Sequence, residues 1–246
     1  MPESATRNPR VLVVQNTPAG GLGRFEGWWR EAGVEVDIVP AYTGAPIPDL
    51  DDHDGLALLG GGLMPDDDER GPWLAREREV TRQALDRAVP VLGICLGGQL
   101  LAHVAGGTVR ADHGEPEAGS TRLITHEPAG QDPLFADLTP TFLATEHHVD
   151  QITEVPPGAV LLASSERCPI QAFRVGDSAW GVQFHPEIDV RRVQAWDRDR
   201  LIEQGFDPDE VVRRAAADEP ITAPIWRTFA ERFAAVVRSG TSVRTH

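Results

Sequence analysis

The sequence predicts an open, mostly parallel α/β sheet with helices on both faces, followed by a helical C-terminal extension. Three observations carry this reading. Short apolar runs recur at 10–15, 34–39, 55–60 and 89–94, and helical patterns fill about 22–32, 72–88 and 96–105 between or after them. Beyond residue 188 the composition turns charged and arginine-rich. Strands alternating with helices build a sheet whose strands run parallel, because each helix carries the chain back to the starting edge. A chain of 246 residues is long enough for one substantial core. We therefore expect an α/β unit over 10–188 and a helical extension over 189–238 packed on it.

The elements follow in order. Arg10–Gln15 is an apolar run flanked by polar residues, as a buried strand should be, and 34–39 repeats the pattern. The run 55–60 ends in three glycines, Gly60 to Gly62, which mark a loop where backbone approaches another group closely. The run 89–94 leads straight into Cys95 and the helical segment 96–105. Within 178–187, Trp180, Val182 and Phe184 alternate with Gly181, Gln183 and His185, which predicts a strand. In the extension, 189–204, 208–218 and 220–238 read as helices, with Pro208 and Pro220 near helix starts. Residues 239–246 read as a frayed tail.

The segment Val89 to Ala102 carries the chemistry. Gly93 and Gly97 flank Cys95 at two residues on either side, so bulky Cβ atoms are missing where a sharp strand-to-helix turn needs room. At the start of a helix, free N–H groups and the helix dipole favour a thiolate. Cys95 is the candidate nucleophile; the plainer alternative is a small buried cysteine at a strand end. Acyl transfer then needs a base. Residues i and i+2 of a strand project to one side, so His185 and Glu187 are placed together, and Pro186 keeps His185 extended. The carboxylate would orient the imidazole and support its charged form, as the acid does in a serine triad. A tetrahedral intermediate also needs N–H donors, and the amides of Leu96 and Gly62 are the candidates.

Three segments taken together resemble the class I glutamine amidotransferases, the Cys-His-Glu type found in GMP synthetase and carbamoyl-phosphate synthetase. They are Gly-Gly-Leu-Met (61–64), Gly-Ile-Cys-Leu-Gly-Gly-Gln-Leu-Leu-Ala (93–102) and Gly-Val-Gln-Phe-His-Pro-Glu (181–187), and the similarity spans about 10–188. The resemblance implies a flavodoxin-like amidotransferase fold and attack by Cys95 on the side-chain amide of glutamine. It completes the triad with His185 and Glu187, and assigns the oxyanion to the Gly62 and Leu96 amides. Gln99 falls at the position that contacts the substrate. The stretch Thr145-Glu-His-His-Val-Asp150 is similar to the Ser-His-Gly-Asp segment of GMP-synthetase-type domains, which implies a substrate contact for His148. Glutamate and ammonia would be the products, with no cofactor and with the ammonia acceptor on a separate synthase polypeptide. The chain departs from the family pattern at Leu63, where many relatives carry proline, and at Gly98, where many carry histidine; neither change removes a triad member.

Charge and composition narrow the field further. The formal charge of −15 repels nucleic acid and anionic lipid, so neither is an expected partner. Every Lys+Arg residue is arginine, which excludes a Schiff-base lysine and makes the glycine loop no P-loop. The acidic run Asp66 to Glu69 reads as a solvated loop. His147, His148 and Asp150 could suggest a metal site, but three ligands on one short stretch lack a fourth, and no metal is expected. Cys168 reads as a core thiol. The first nine residues are polar, no stretch approaches 18 apolar residues, and a cytoplasmic enzyme is expected.

Three rival readings stay open on sequence. One is a free-standing hydrolase of γ-glutamyl compounds. Another is an α/β-hydrolase similar to dienelactone hydrolase, in which Asp150 and His185 serve Cys95 as acid and base. The last is a binding module that keeps the fold without the chemistry.

Overall fold

Among the described residues, nine strands form one sheet. The computed structural model describes residues 7–244, so the polar N-terminal stretch lies outside the description over residues 1–6. The expected alternation opens the chain: β1 (Arg10–Gln15), α1 (Arg24–Glu31), β2 (Glu35–Pro40), β3 (Gly55–Leu58), α2 (Leu74–Asp86), β4 (Val91–Ile94) and α3 (Leu96–Val104). Strands β2, β1, β3 and β4 run parallel, and β11 (Ala179–Val182) joins β4 in parallel register, Gly181 opposite Gly93.

The remaining strands continue the sheet antiparallel from β11. They are β6 (Glu117–Thr125), β7 (Thr141–His148), β9 (Val160–Ser164) and β10 (Ala172–Val175). A small separate ribbon pairs β5 (Thr108–Arg110) with β8 (Gln151–Glu154). The sequence pattern anticipates none of these six strands.

Helices cover both faces, as expected. On one, Phe25 and Trp29 of α1 and Trp226, Phe229 and Phe233 of the last helix pack against Val11, Val13, Leu92 and Trp180. On the other, Leu74 and Val80 of α2 and Leu96, Leu100 and Leu101 of α3 pack against Leu12, Val14, Leu56 and Leu58. Successive strand residues therefore face opposite layers, which is why β1 and β3 read as continuous apolar runs.

Several expectations need correction. The strand expected over 178–187 ends at Val182, so His185 and Glu187 do not share a strand face. In the extension, 189–204 forms two short helices, α4 (Val190–Gln194) and α5 (Arg198–Glu203). Asp189 and Asp197 cap them by accepting backbone N–H groups. Pro208 does begin a helix, but α6 runs unbroken from Pro208 to Arg244, with Pro220 and Pro224 inside it. The frayed tail expected at 239–246 is helical as far as Arg244, and the last two residues lie outside the described region. Burial explains the continuity: Trp226, Phe229, Phe233 and Val237 are locked into the core, which outweighs the missing proline donors. Among the described residues, no helix is long and apolar enough to cross a membrane.

Candidate active site

Cys95 stands between β4 and α3 with φ +52° and ψ −111°, a backbone conformation that a residue with a Cβ rarely adopts. The glycines around it are there for space. A Cβ on Gly93 would meet the Gly97 carbonyl oxygen at 2.4 Å, and one on Gly97 would meet the Leu58 carbonyl oxygen at 2.1 Å. Gly98 is equally constrained, since its Cβ would lie 2.6 Å from the Val182 carbonyl oxygen. The helix thus sits hard against β3 and β11, and the turn that results presents Cys95 at the carboxyl ends of the parallel strands, where open α/β sheets bind ligands.

The His185 ring reaches the same point. Its Nδ1 lies 2.8 Å from Glu187 Oε1, and the ring lines the same cavity as Cys95. The chain leaves β11, donates the His185 amide to the Thr145 carbonyl at 2.7 Å, and turns at Pro186 so that Glu187 comes back under the ring. The proximity expected from strand alternation is therefore produced by a turn. Burial opposes a charge on His185, yet the Glu187 carboxylate and the Cys95 sulfur together raise its pKa well above that of an ordinary imidazole. The arrangement favours the charged imidazolium beside Cys95.

A cavity of about 510 Å³ opens over these groups. Gly60, Gly61 and Gly62 line it, which places the candidate oxyanion donor Gly62 at the site, and Leu96 follows Cys95 as the first residue of α3. Sequence alone does not single out Gly60, which matters most of the three. A Cβ there would lie 3.0 Å from His185 Cε1 and 3.5 Å from the Cys95 Cβ, so its bareness lets imidazole and thiol meet.

The two candidate substrate contacts part company. His148 lines the cavity, with Nε2 3.2 Å from Glu146 Oε2 and 3.3 Å from Glu117 Oε2. Burial works against its charge, but the two carboxylates override it and push its pKa up to about 10. Gln99 is instead 2% exposed and does not line the cavity; its Nε2 donates to the Asp150 carbonyl at 3.2 Å, beside Gln183, which donates to the same oxygen at 3.0 Å.

No metal cage forms from His147, His148 and Asp150. His147 stacks on Trp196 with ring centroids 4.1 Å apart, and the Asp150 carboxylate accepts the Asp112 amide at 2.9 Å. Glu117, His148 and Cys168 come within 4.8 Å of one another, close enough to share an ion. Their donors are otherwise committed: Glu117 accepts from Ser165 and Gln171, each at 2.7 Å, and burial pushes the Cys168 thiol pKa up, away from the thiolate that a metal requires. In the acidic run, Asp67 pairs with Arg70 and Asp68 with Arg78, as a solvated loop would. Asp150 does not serve His185, whose carboxylate partner is Glu187, and this removes the arrangement that the α/β-hydrolase reading required.

The extension makes a contribution that sequence reasoning misses. Arg192 and Ala195 at α4, Trp196 after it, and Arg200 of α5 all line the cavity. These residues look like an ordinary charged surface in sequence, and nothing in their spacing distinguishes them.

Comparison with known proteins gives the family. The profile of the family described as glutamine amidotransferase class-I matches residues 28–202, which takes in β4, α3, the His185 turn, α4 and most of α5. The chain is 38% identical over 184 residues to a subunit of glutamine-hydrolyzing GMP synthase from Thermoplasma volcanium, covering 73% of this chain and 84% of that protein. It is 35% identical over 181 residues to the protein of the same name from Thermococcus kodakarensis, covering 72% and 89%. Among solved structures, a glutamine amidotransferase from Thermotoga maritima superposes with a TM-score of 0.84 at 27% identity, covering 92% of this chain and 98% of that one.

Proposed function

The chain belongs to the class-I glutamine amidotransferase family, and on that premise we propose that Cys95 is the nucleophile through which it hydrolyses the side-chain amide of glutamine. The observation that carries the assignment is the position of His185, bonded to Glu187 at 2.8 Å and set beside Cys95 in the lining of one open cavity.

The Cys95 sulfur attacks the amide carbon, and the carbonyl oxygen takes up the negative charge between the Gly62 and Leu96 amides. The His185 imidazolium gives its proton to the departing nitrogen, ammonia leaves, and a thioester remains on Cys95. His185, now neutral, takes a proton from water; the hydroxide equivalent attacks the thioester, and glutamate departs as the sulfur regains its pairing with the ring. Glu187 holds the imidazole in the productive tautomer throughout. Gln99 acts by fixing the Asp150 backbone at the cavity edge, and His148 supplies a fixed positive charge in the wall.

The ammonia is passed to an acceptor on a separate synthase protein. Support comes from the relatives, each named as one subunit of a GMP synthase. We take 10–188 as the catalytic unit and 189–238 as an integral cover whose first two helices complete the cavity. A cytoplasmic setting suits a free thiol nucleophile, and both cysteines are free. A second reading, a stand-alone hydrolase of γ-glutamyl compounds, uses the same steps. The cavity favours it in one respect, since about 510 Å³ is room for more than a single amino acid.

Ammonia release from glutamine, measured for the wild type and for Cys95→Ser, tests the assignment. Turnover that vanishes in the variant supports it; equal turnover in both refutes it. Cleavage of γ-glutamyl peptides without any cleavage of glutamine would favour the second reading over the first.

A further inference from the structure

Arg192 and Arg200 are unusual among their neighbours. Arg191 pairs with Asp189 at 2.9 Å and Arg198 with Asp209 at 2.9 Å, whereas among the described residues no carboxylate pairs with the guanidinium of Arg192 or Arg200. Both line the cavity that holds Cys95. On a protein of net charge −15, two unpaired cations gathered at one cavity are the reverse of the overall field.

The rest of the lining sharpens the contrast. Among the described residues, Glu187 is the one carboxylate residue that lines the cavity, and its Oε1 is engaged by His185. The charge on His148 is matched by Glu117 and Glu146. His147 adds none near neutrality: burial, with the nearby positive groups His185 and Arg200, lowers its pKa to about 3, and the neutral ring stacks on Trp196. Uncompensated positive charge in this wall therefore resides in the two guanidiniums. A guanidinium presents paired N–H donors at the spacing of a carboxylate; Arg192 offers them from a half-buried position and Arg200 from an exposed one at the cavity rim.

We infer that Arg192 and Arg200 form a carboxylate-binding subsite of this cavity, contributed by the extension, which recognises a carboxylate of the substrate beyond the reacting amide. The inference rests on the glutaminase reading and deepens it. Two sources share this chemistry: the α-carboxylate of the glutamyl group, and a carboxylate on a group joined through the amide nitrogen. The cavity volume favours the second, because glutamine alone leaves space unfilled.

The test compares alkylation of Cys95 by iodoacetate and iodoacetamide, reagents that differ chiefly in charge, with the modified peptide identified by mass. The iodoacetate-to-iodoacetamide rate ratio should fall at least about fivefold in the Arg192→Gln Arg200→Gln double variant. The Arg192→Lys Arg200→Lys variant should recover part of it by restoring charge. A ratio equal in wild type and the Gln variant overturns the subsite while leaving Cys95 as the nucleophile; failure of both reagents to modify Cys95 in the wild type overturns the glutaminase reading and the subsite together.

Michaelis constants then distinguish the sources. A rise in the Gln variant for γ-glutamylglycine alone, relative to glutamine and γ-glutamylmethylamide, assigns the subsite to the leaving group. An equal rise for all three assigns it to the α-carboxylate, and no rise for any overturns it.

Discussion

Arg24 Nη1 meets Glu219 Oε1 at 2.9 Å, tying α1 to α6, while its Nε donates to the Pro186 carbonyl at 3.1 Å between His185 and Glu187. The Arg24 amide adds a bond of 2.9 Å to the Glu187 carbonyl, and Gly23, at φ +56°, gives up its side chain so that this carbonyl can approach. Burial works against the Arg24 charge, and Glu219, Glu187 and Asp189 partly offset it. The turn that aims Glu187 at His185 is therefore held from α1, and through it from the far end of the chain.

Replacing Arg24 by methionine keeps most of its packing and removes the grip on the Pro186 carbonyl. We expect kcat for glutamine to fall on the order of tenfold with little change in KM, because Arg24 holds the turn that carries Glu187 and does not line the cavity. Glu219→Gln should show the same split more weakly. A rise in KM at constant kcat would show that the turn is held by other means.

Gly60→Ala inserts a methyl group between the ring and the thiol. The contact of 3.0 Å to His185 Cε1 is tighter than most packed Cβ contacts, so the imidazole has to shift slightly away. Turnover should drop at least about tenfold while the thermal midpoint shifts little. Intact turnover would mean that ring and sulfur do not need this approach.

The two thiols separate cleanly. Cys95→Ala and His185→Ala should each remove at least about 10³-fold of activity, since members of the proposed triad would act as a unit. Cys168→Ala should leave turnover nearly unchanged, because its buried thiol is held in the protonated form and donates to the Ile170 carbonyl at 3.4 Å. A large loss at Cys168 alone would place the chemistry on the wrong sulfur.

Glu77 gives the fold a pH signature. It is fully buried in α2, and desolvation raises its pKa to about 8, although the Asn16 amide donates to Oε1 at 3.1 Å. The folded state keeps a proton that the unfolded chain releases from its ordinary carboxylate range, about 4.5, upward. This stabilisation is complete below that range and declines as pH rises towards 8, by up to about 1.4 kcal/mol per pH unit for one proton. His148 acts in the same direction from about 6.5 to about 10. Glu77→Gln stays neutral, so denaturant unfolding at pH 5 and pH 9 should show a smaller stability difference in the variant than in the wild type. Equal differences would show that Glu77 is ionised in the folded protein.

Much of this is legible in the sequence where burial on both sides of a strand leaves continuous apolar runs. Strands β1, β3 and β4 and the elbow glycines are of that kind, and the runs match the strands to within a few residues. Strands β5 to β10 carry no such mark: β6 mixes buried Glu117 and Leu123 with exposed Arg122, and it contains Gly119 at φ +84°. Pro220 signals a helix start in sequence, yet buried residues downstream carry α6 through it. Strand alternation predicts the pairing of His185 with Glu187, but a turn makes it, because Thr145 and Arg24 redirect the backbone after Val182. Arg24, Arg192 and Arg200 cannot be picked out from sequence, since only the folded chain shows which of 23 arginines face a carbonyl or a cavity.

The most direct measurement of the central claim is mass analysis of the protein treated with a glutamine-shaped diazoketone that alkylates an attacking thiol. We predict one adduct, on the peptide that contains Cys95, formed in the wild type and suppressed by excess glutamine and by His185→Ala. An adduct on Cys168, or labelling of Cys95 that neither glutamine nor loss of His185 affects, would contradict the account.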